Sequence, residues 1–216
     1  MIRQIVYHTP KGVVYIEGPC PGLYLDRLTM NSKLTNFRPA KKQKEALIMI
    51  TTTPHGMIYI ARHKKEIVGY ITFHRPDESS RWFNHPRVLE LGGIEISPDW
   101  RRLKIAENIL QAGFTNPVLE DFIVITMEIS WYWDTGNTKL DTFAYRKVLC
   151  NLFGSVDMQK IPTDDPDITE HPANVLMARI GQNVSSGDIT LFESMCFQNK
   201  DINAENVLNN YQLRGL

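Results

Sequence analysis

The alternation of apolar and polar positions divides the chain into short strands and a few helices. Ile5-Val6-Tyr7 and Val13-Val14-Tyr15-Ile16 flank the turn-forming cluster Thr9-Pro10-Lys11-Gly12, so the chain is expected to open on a hairpin. Gly18-Pro19-Cys20-Pro21-Gly22 breaks it. Helical spacing follows, weakly from Tyr24 to Met30 and more firmly from Lys41 to Ile50. Pro54-His55-Gly56 introduces a strand from Met57 to Ala61, and the charged turn His63-Lys64-Lys65-Glu66 returns it as Ile67 to Phe73. Val88 to Ser97 reads as a strand, Arg101 to Thr115 as a helix and Phe122 to Thr126 as another strand. Phe122-Ile123-Val124-Ile125 is continuously apolar, as in a strand covered on both faces. This strand–helix–strand order predicts a right-handed crossover between parallel strands. A helix is expected from about 139 to 153, a polar loop from Asp164 to Pro172 and a last strand from Val175 to Ile180. Residues 197–216 are polar and expected to be mobile or lightly docked.

One strand breaks its own alternation. Read strictly, Leu89 and Leu91 share a face with Glu95 and Ser97, while Glu90 joins Ile94 and Ile96. One extra residue at Gly92-Gly93 restores the pattern: Leu89, Leu91, Ile94 and Ile96 face one way, Glu90, Glu95 and Ser97 the other. Such a bulge turns backbone N–H groups out of the sheet, where they can bond a thioester carbonyl or a cofactor arm. It also leaves two carboxylates beside that point. The turn after the strand carries Arg101, Arg102 and Lys104 ahead of Ile105, Ala106 and Ile109, a basic helix start suited to a pyrophosphate.

Composition narrows the options. Over 216 residues, Lys plus Arg and Asp plus Glu are 24 each, so the basic excess of a sequence-independent nucleic-acid binder is missing. Cys20, Cys150 and Cys196 are too few and too scattered for a zinc spacing or a disulfide framework. No metal-ligand spacing emerges from Asp164, Asp165, Asp167, Glu170 and His171. The opening Met1-Ile2-Arg3-Gln4 leads into no apolar signal region and no apolar run approaches a membrane span, so a cytoplasmic protein is expected. The division expected is an N-terminal hairpin extension over 1–20, one domain over 21–182 and a C-terminal helical or mobile extension over 183–216.

The turn at Arg101 resembles the acyl-CoA-binding motif R-x-x-G-x-[GA] of the GNAT N-acetyltransferases. Arg101 and Ala106 match its ends, whereas Lys104 replaces the central glycine and Arg102 another common one. Phe37-Arg38-Pro39, Ile67-Val68-Gly69-Tyr70, Glu90-Leu91-Gly92-Gly93-Ile94-Glu95, Ala144-Tyr145-Arg146-Lys147 and the run from His171 to Gly181 are similar to one subgroup, the AcuA-like acetoin utilization acetyltransferases. The likeness covers residues 12–182. It implies an α/β GNAT fold, with a mixed central sheet, flanking helices and a splayed pair of parallel strands. It further implies acetyl-CoA as cosubstrate, bound along Ile94, Ile96, Ser97, Arg101, Arg102, Leu103, Lys104, Ile105 and Ala106. The acceptor it implies is a lysine of acetyl-CoA synthetase, which acetylation would switch off.

Acetyl transfer by direct attack needs a neutral amine, and a lysine at pH 7 lies about 4–5 kcal/mol from that state. A nearby carboxylate, acting directly or through water, can take that proton as attack proceeds. Glu95, just past the proposed bulge, is the first candidate and Glu90 the second. Backbone N–H groups near Ile94 to Ser97 are candidates for the oxyanion. Through the resemblance, Tyr145 becomes the acid that protonates the leaving thiolate, although Tyr145, Leu149 and Leu152 also share a packing face. Trp131, Tyr132 and Trp133 read as packing or groove lining, and the acidic loop near Asp164 and Asp165 as a surface for a basic peptide. A small-amine acetyltransferase and a non-catalytic acetyl-CoA-binding regulator remain as alternatives.

Overall fold

The computed structural model describes residues 2–198, so the expectation of a mobile tail falls, over 199–216, outside the described residues. Strands β1 (Arg3–Thr9) and β2 (Gly12–Gly18) form the expected hairpin. Helix α1 (Gly22–Asp26) is shorter than its pattern. The chain does not stay helical to Met30, because Thr29 and Asn31 N–H bond the carbonyls of Lys65 and Ile67 and draw Thr29–Met30 out as β3. There follow α2 (Ala40–Ile50), β4 (Met57–His63), β5 (Glu66–His74), β6 (Val88–Ile96), α3 (Ile105–Phe114) and β7 (Ile123–Glu128). The last part contains α4 (Thr135–Thr138), α5 (Thr142–Gly154), β8 (Gln159–Ile161), α6 (Pro166–Thr169), β9 (Val175–Ile180) and α7 (Ser186–Cys196).

The single helix expected from about 139 is two. Lys139 is left-handed at φ 57° and ends α4, and the Asp141 carboxylate caps α5 by accepting the Ala144 N–H. Helix α3 starts at Ile105 rather than at Arg101, because Arg102 and Lys104 both hold positive φ, 61° and 54°.

One mixed sheet runs β1-β2-β4-β5-β6-β7-β9-β8, with β3 beside β5. On one face, α3 and α5 bury Ile105, Ile109, Leu149 and Phe153 against Leu89, Leu91, Ile96 and Val124. On the other, α1 and α2 cover Ile58, Ile60 and Tyr70, and α7 covers Val88, Ile123, Ile125 and Leu176. A complete apolar layer on both faces explains the unbroken run at Phe122–Ile125. The feature that matters for function is a parting of the parallel strands. β6 and β7 pair only from Val88 to Glu90, against Ile123 to Ile125. Beyond that point β6 stays with β5 and β7 with β9, which opens a wedge in mid-sheet.

Candidate active site

The bulge lies where the alternation demanded it. Thr72 faces Gly93 and Phe73 faces Leu91, leaving Gly92 as the extra residue of β6. Leu89, Leu91, Ile94 and Ile96 consequently share the α3 face. Gly92 has a specific reason to lack a side chain: a Cβ there would lie 2.0 Å from Nε2 of His74. Gly93 is freer, its nearest neighbour being Phe37 at 3.7 Å.

Past the bulge, Ser97 N–H donates to Val68 O at 2.8 Å. Antiparallel N–H groups alternate between the two sides of a strand, so those of Ile94 and Ile96 point the other way, across the gap left by β7. They are the donors that the sequence put near a thioester. Ser97 is not one of them, since its hydroxyl also donates inward, to Asn31 Oδ1.

The wedge opens into a cavity of about 870 Å³ whose wall includes Phe37, Arg38, Glu90, Gly93, Ile94, Thr126, Glu128, Tyr132, Trp133 and Tyr145. Its carboxylates differ in their surroundings. Glu90 lines the cavity, and desolvation holds its carboxyl above the ordinary 4.5, opposed by His74 and reinforced by Asp77. Glu95 is buried and lines a second, smaller recess. Burial raises its carboxyl as well, but both oxygens are engaged, one by Asn36 N–H at 2.9 Å and the other by Tyr70 Oη at 2.7 Å. The first-ranked base is thus a tie between the sheet and the loop before α2, while the second-ranked one faces the open space.

Glu128 went unnoticed in the sequence. It ends β7 and accepts Thr126 Oγ1–H at 2.9 Å and Trp133 Nε1–H at 3.2 Å. Desolvation and the charge of Glu90 raise its carboxyl, outweighing those two bonds. The alternation of Thr126 and Glu128 at the end of an apolar strand was the available signal.

Tyr145 both packs and faces the cavity. Its ring stacks on Trp133, centroids 5.4 Å apart and planes 17° from parallel, and the Asp134 backbone, acting against burial, lowers the pKa of its hydroxyl. Burial raises its pKa, keeping it protonated at neutral pH.

Around the helix start the three cations divide. Arg101 turns back to Ile96 O at 3.1 Å and to Asp134 at 2.6 Å, so its guanidinium is committed within the protein. Arg102 and Lys104 are exposed and enter no salt bridge among the described residues. Leu103 packs towards the core between them. No side chain caps α3, and its first intrahelical bond is from Asn108 to Lys104, so the N–H groups of Ile105 and Ala106 remain available. Lys104 takes the left-handed backbone that the motif glycine would supply. The acidic loop differs from expectation: Asp164 and Asp165 are buried and clasp Arg81 at 2.6 and 2.9 Å, so they present no acidic surface to a peptide.

A splayed β6–β7 pair, a bulge just past the parting and an uncapped helix after the strand define an acyl-CoA N-acyltransferase scaffold. Residues 27–115 match the acetyltransferase (GNAT) family model. The chain is 41% identical over 194 residues to the acetoin utilization protein AcuA of Bacillus licheniformis, covering 89% of this chain and 92% of that one. It is 39% identical to AcuA of Bacillus subtilis over the same shares. The crystal structure of an acetoin utilization protein from Exiguobacterium sibiricum superposes with a TM-score of 0.89 at 35% identity, covering 92% of this chain and 95% of that one. The chain therefore belongs to the GNAT acetyltransferases, among the AcuA acetoin utilization proteins, and is an acyltransferase.

Proposed function

We propose that the enzyme moves an acetyl group from acetyl-CoA to the ε-amine of a lysine in another protein. The acceptor that the acetoin utilization relationship suggests is acetyl-CoA synthetase, inactivated by the modification in the cytoplasm. The observation that carries this reading is the juxtaposition, at one strand parting, of outward N–H groups at Ile94 and Ile96 with the cavity-lining carboxylate of Glu90.

The cosubstrate fits this chain's own groups. The uncapped N–H groups of Ile105 and Ala106, with Arg102 and Lys104, suit a diphosphate. Ile94 and Ile96 N–H suit an acyl arm and the oxyanion that develops when the carbonyl is attacked. The amine nitrogen attacks the thioester carbon, Glu90 removes its proton directly or through water, the C–S bond breaks, and Tyr145 protonates the departing thiolate. Glu95 is the weaker base candidate because its oxygens already serve Asn36 and Tyr70. A protein acceptor suits the site better than a small amine: the cavity is wide, and Phe37 and Tyr132 stand exposed at its wall, 40% and 59% accessible.

Incubation with acetyl-labelled acetyl-CoA, purified acetyl-CoA synthetase and, separately, a bacterial lysate tests the proposal. Label on a lysine of one protein band, lost with Glu90→Gln, is expected. Label confined to small molecules contradicts the protein acceptor, and binding of acetyl-CoA without transfer to anything contradicts catalysis.

A further inference from the structure

Glu128 carries more structure than a wall residue needs. Its carboxylate fixes the Trp133 indole through Nε1–H, and the face of that indole stacks on Tyr145. The next residue, Asp134, gives its carboxylate to Arg101, which also bonds the β6 carbonyl of Ile96. A single two-residue segment, Trp133-Asp134, thus holds the phenol ring and the residue that opens the cofactor turn. The segment is anchored to β7 by the Glu128 bond, and Thr126 Oγ1 holds the second oxygen of the same carboxylate.

We propose that Glu128 is a positioning residue for the acetyl transfer, acting through Trp133 to aim the Tyr145 hydroxyl and to keep it in register with the Arg101 turn. It touches no reacting atom in this scheme. A displacement of about 1 Å at a catalytic group costs on the order of 100-fold in rate, so loosening the anchor should be visible in turnover. The inference rests on the reading of Tyr145 as the leaving-group acid, and its test separates the two.

Transfer from acetyl-CoA to a blocked lysine peptide is measured by thiol release. Glu128→Ala should lower kcat about 10- to 100-fold, with the KM for acetyl-CoA within about threefold. Trp133→Phe, which keeps a ring but removes the N–H, should do the same, and the double variant should be no worse than either single one. Glu128→Gln should recover to within about threefold, because its amide oxygen still accepts the indole hydrogen. In nitrogen–proton spectra the Trp133 indole resonance, identified by its loss in Trp133→Phe, should move upfield in Glu128→Ala, and the Tyr145 ring signals should broaden or shift. Full activity in Glu128→Ala, multiplicative losses in the double variant, or a Glu128→Gln enzyme as impaired as the alanine variant would overturn the proposal. So would unchanged indole and ring signals. If the wild type acetylates no lysine peptide, the acceptor reading fails and the spectra alone decide the anchoring. If Glu128→Ala does not fold, Trp133→Phe and Glu128→Gln carry the same test.

Discussion

Glu90 and Glu95 share one face of one strand, yet one lines the cavity and the other is sealed by two hydrogen bonds. Their glutamine variants should separate cleanly. Glu90→Gln should keep acetyl-CoA affinity and lose about 100- to 10,000-fold in kcat, the range of a general base, as read by lysine-peptide acetylation. Its carboxyl lies above the usual value because burial disfavours the charge, and a base works only when ionised. The acid limb of kcat/KM should therefore fall at a higher pH than an exposed carboxylate would give. Glu95→Gln should instead cost about 1–3 kcal/mol of stability, since an amide cannot accept from both Asn36 and Tyr70, and this is measured by denaturant unfolding. Lys104 sits in left-handed backbone at some strain. Lys104→Gly should stabilise the fold by about 1 kcal/mol and raise the KM for acetyl-CoA about tenfold, separating backbone from charge.

The β1–β2 hairpin, the β4–β5 pair and the parallel β6–β7 pair follow from the alternation, short β3 and β8 do not, and the failed alternation from Leu89 to Ser97 was enough to locate the bulge at Gly92-Gly93. What it could not tell was which glycine is obligatory, because the His74 ring that fills the space comes from the neighbouring strand. Gly92→Ala should lower both melting temperature and kcat, with partial recovery on adding His74→Ala, whereas Gly93→Ala should be nearly neutral by thermal unfolding. Helix boundaries were less legible. The late start of α3 and the break at Lys139 depend on lysine and arginine holding positive φ, which local propensity disfavours. Arg101, Asp164 and Asp165 have the composition of ligand-facing charges, and only the fold reveals that they are paired inside the protein. Glu128 was hidden for the opposite reason, as one acid at the end of an apolar run whose partner Trp133, stacked on Tyr145, lies outside the strand.

For the molecule as a whole, the site is built at a thermodynamic cost. Glu90, Glu95 and Glu128 all have carboxyls raised by burial, so the folded state holds their protons more tightly than the unfolded chain does. Their stabilising contribution is complete below the ordinary value of 4.5 and is lost as pH rises through the raised values. Replacing Glu90 with glutamine removes one such group. The melting temperature of Glu90→Gln relative to wild type should accordingly rise from pH 5 to pH 8, even as activity disappears. The most direct test of the central claim is a crystal structure with acetyl-CoA bound. The diphosphate is expected against Arg102 to Ala106 and the thioester oxygen facing the N–H groups of Ile94 and Ile96, within reach of Glu90. A cofactor seated elsewhere, leaving the β6–β7 wedge empty, would contradict it.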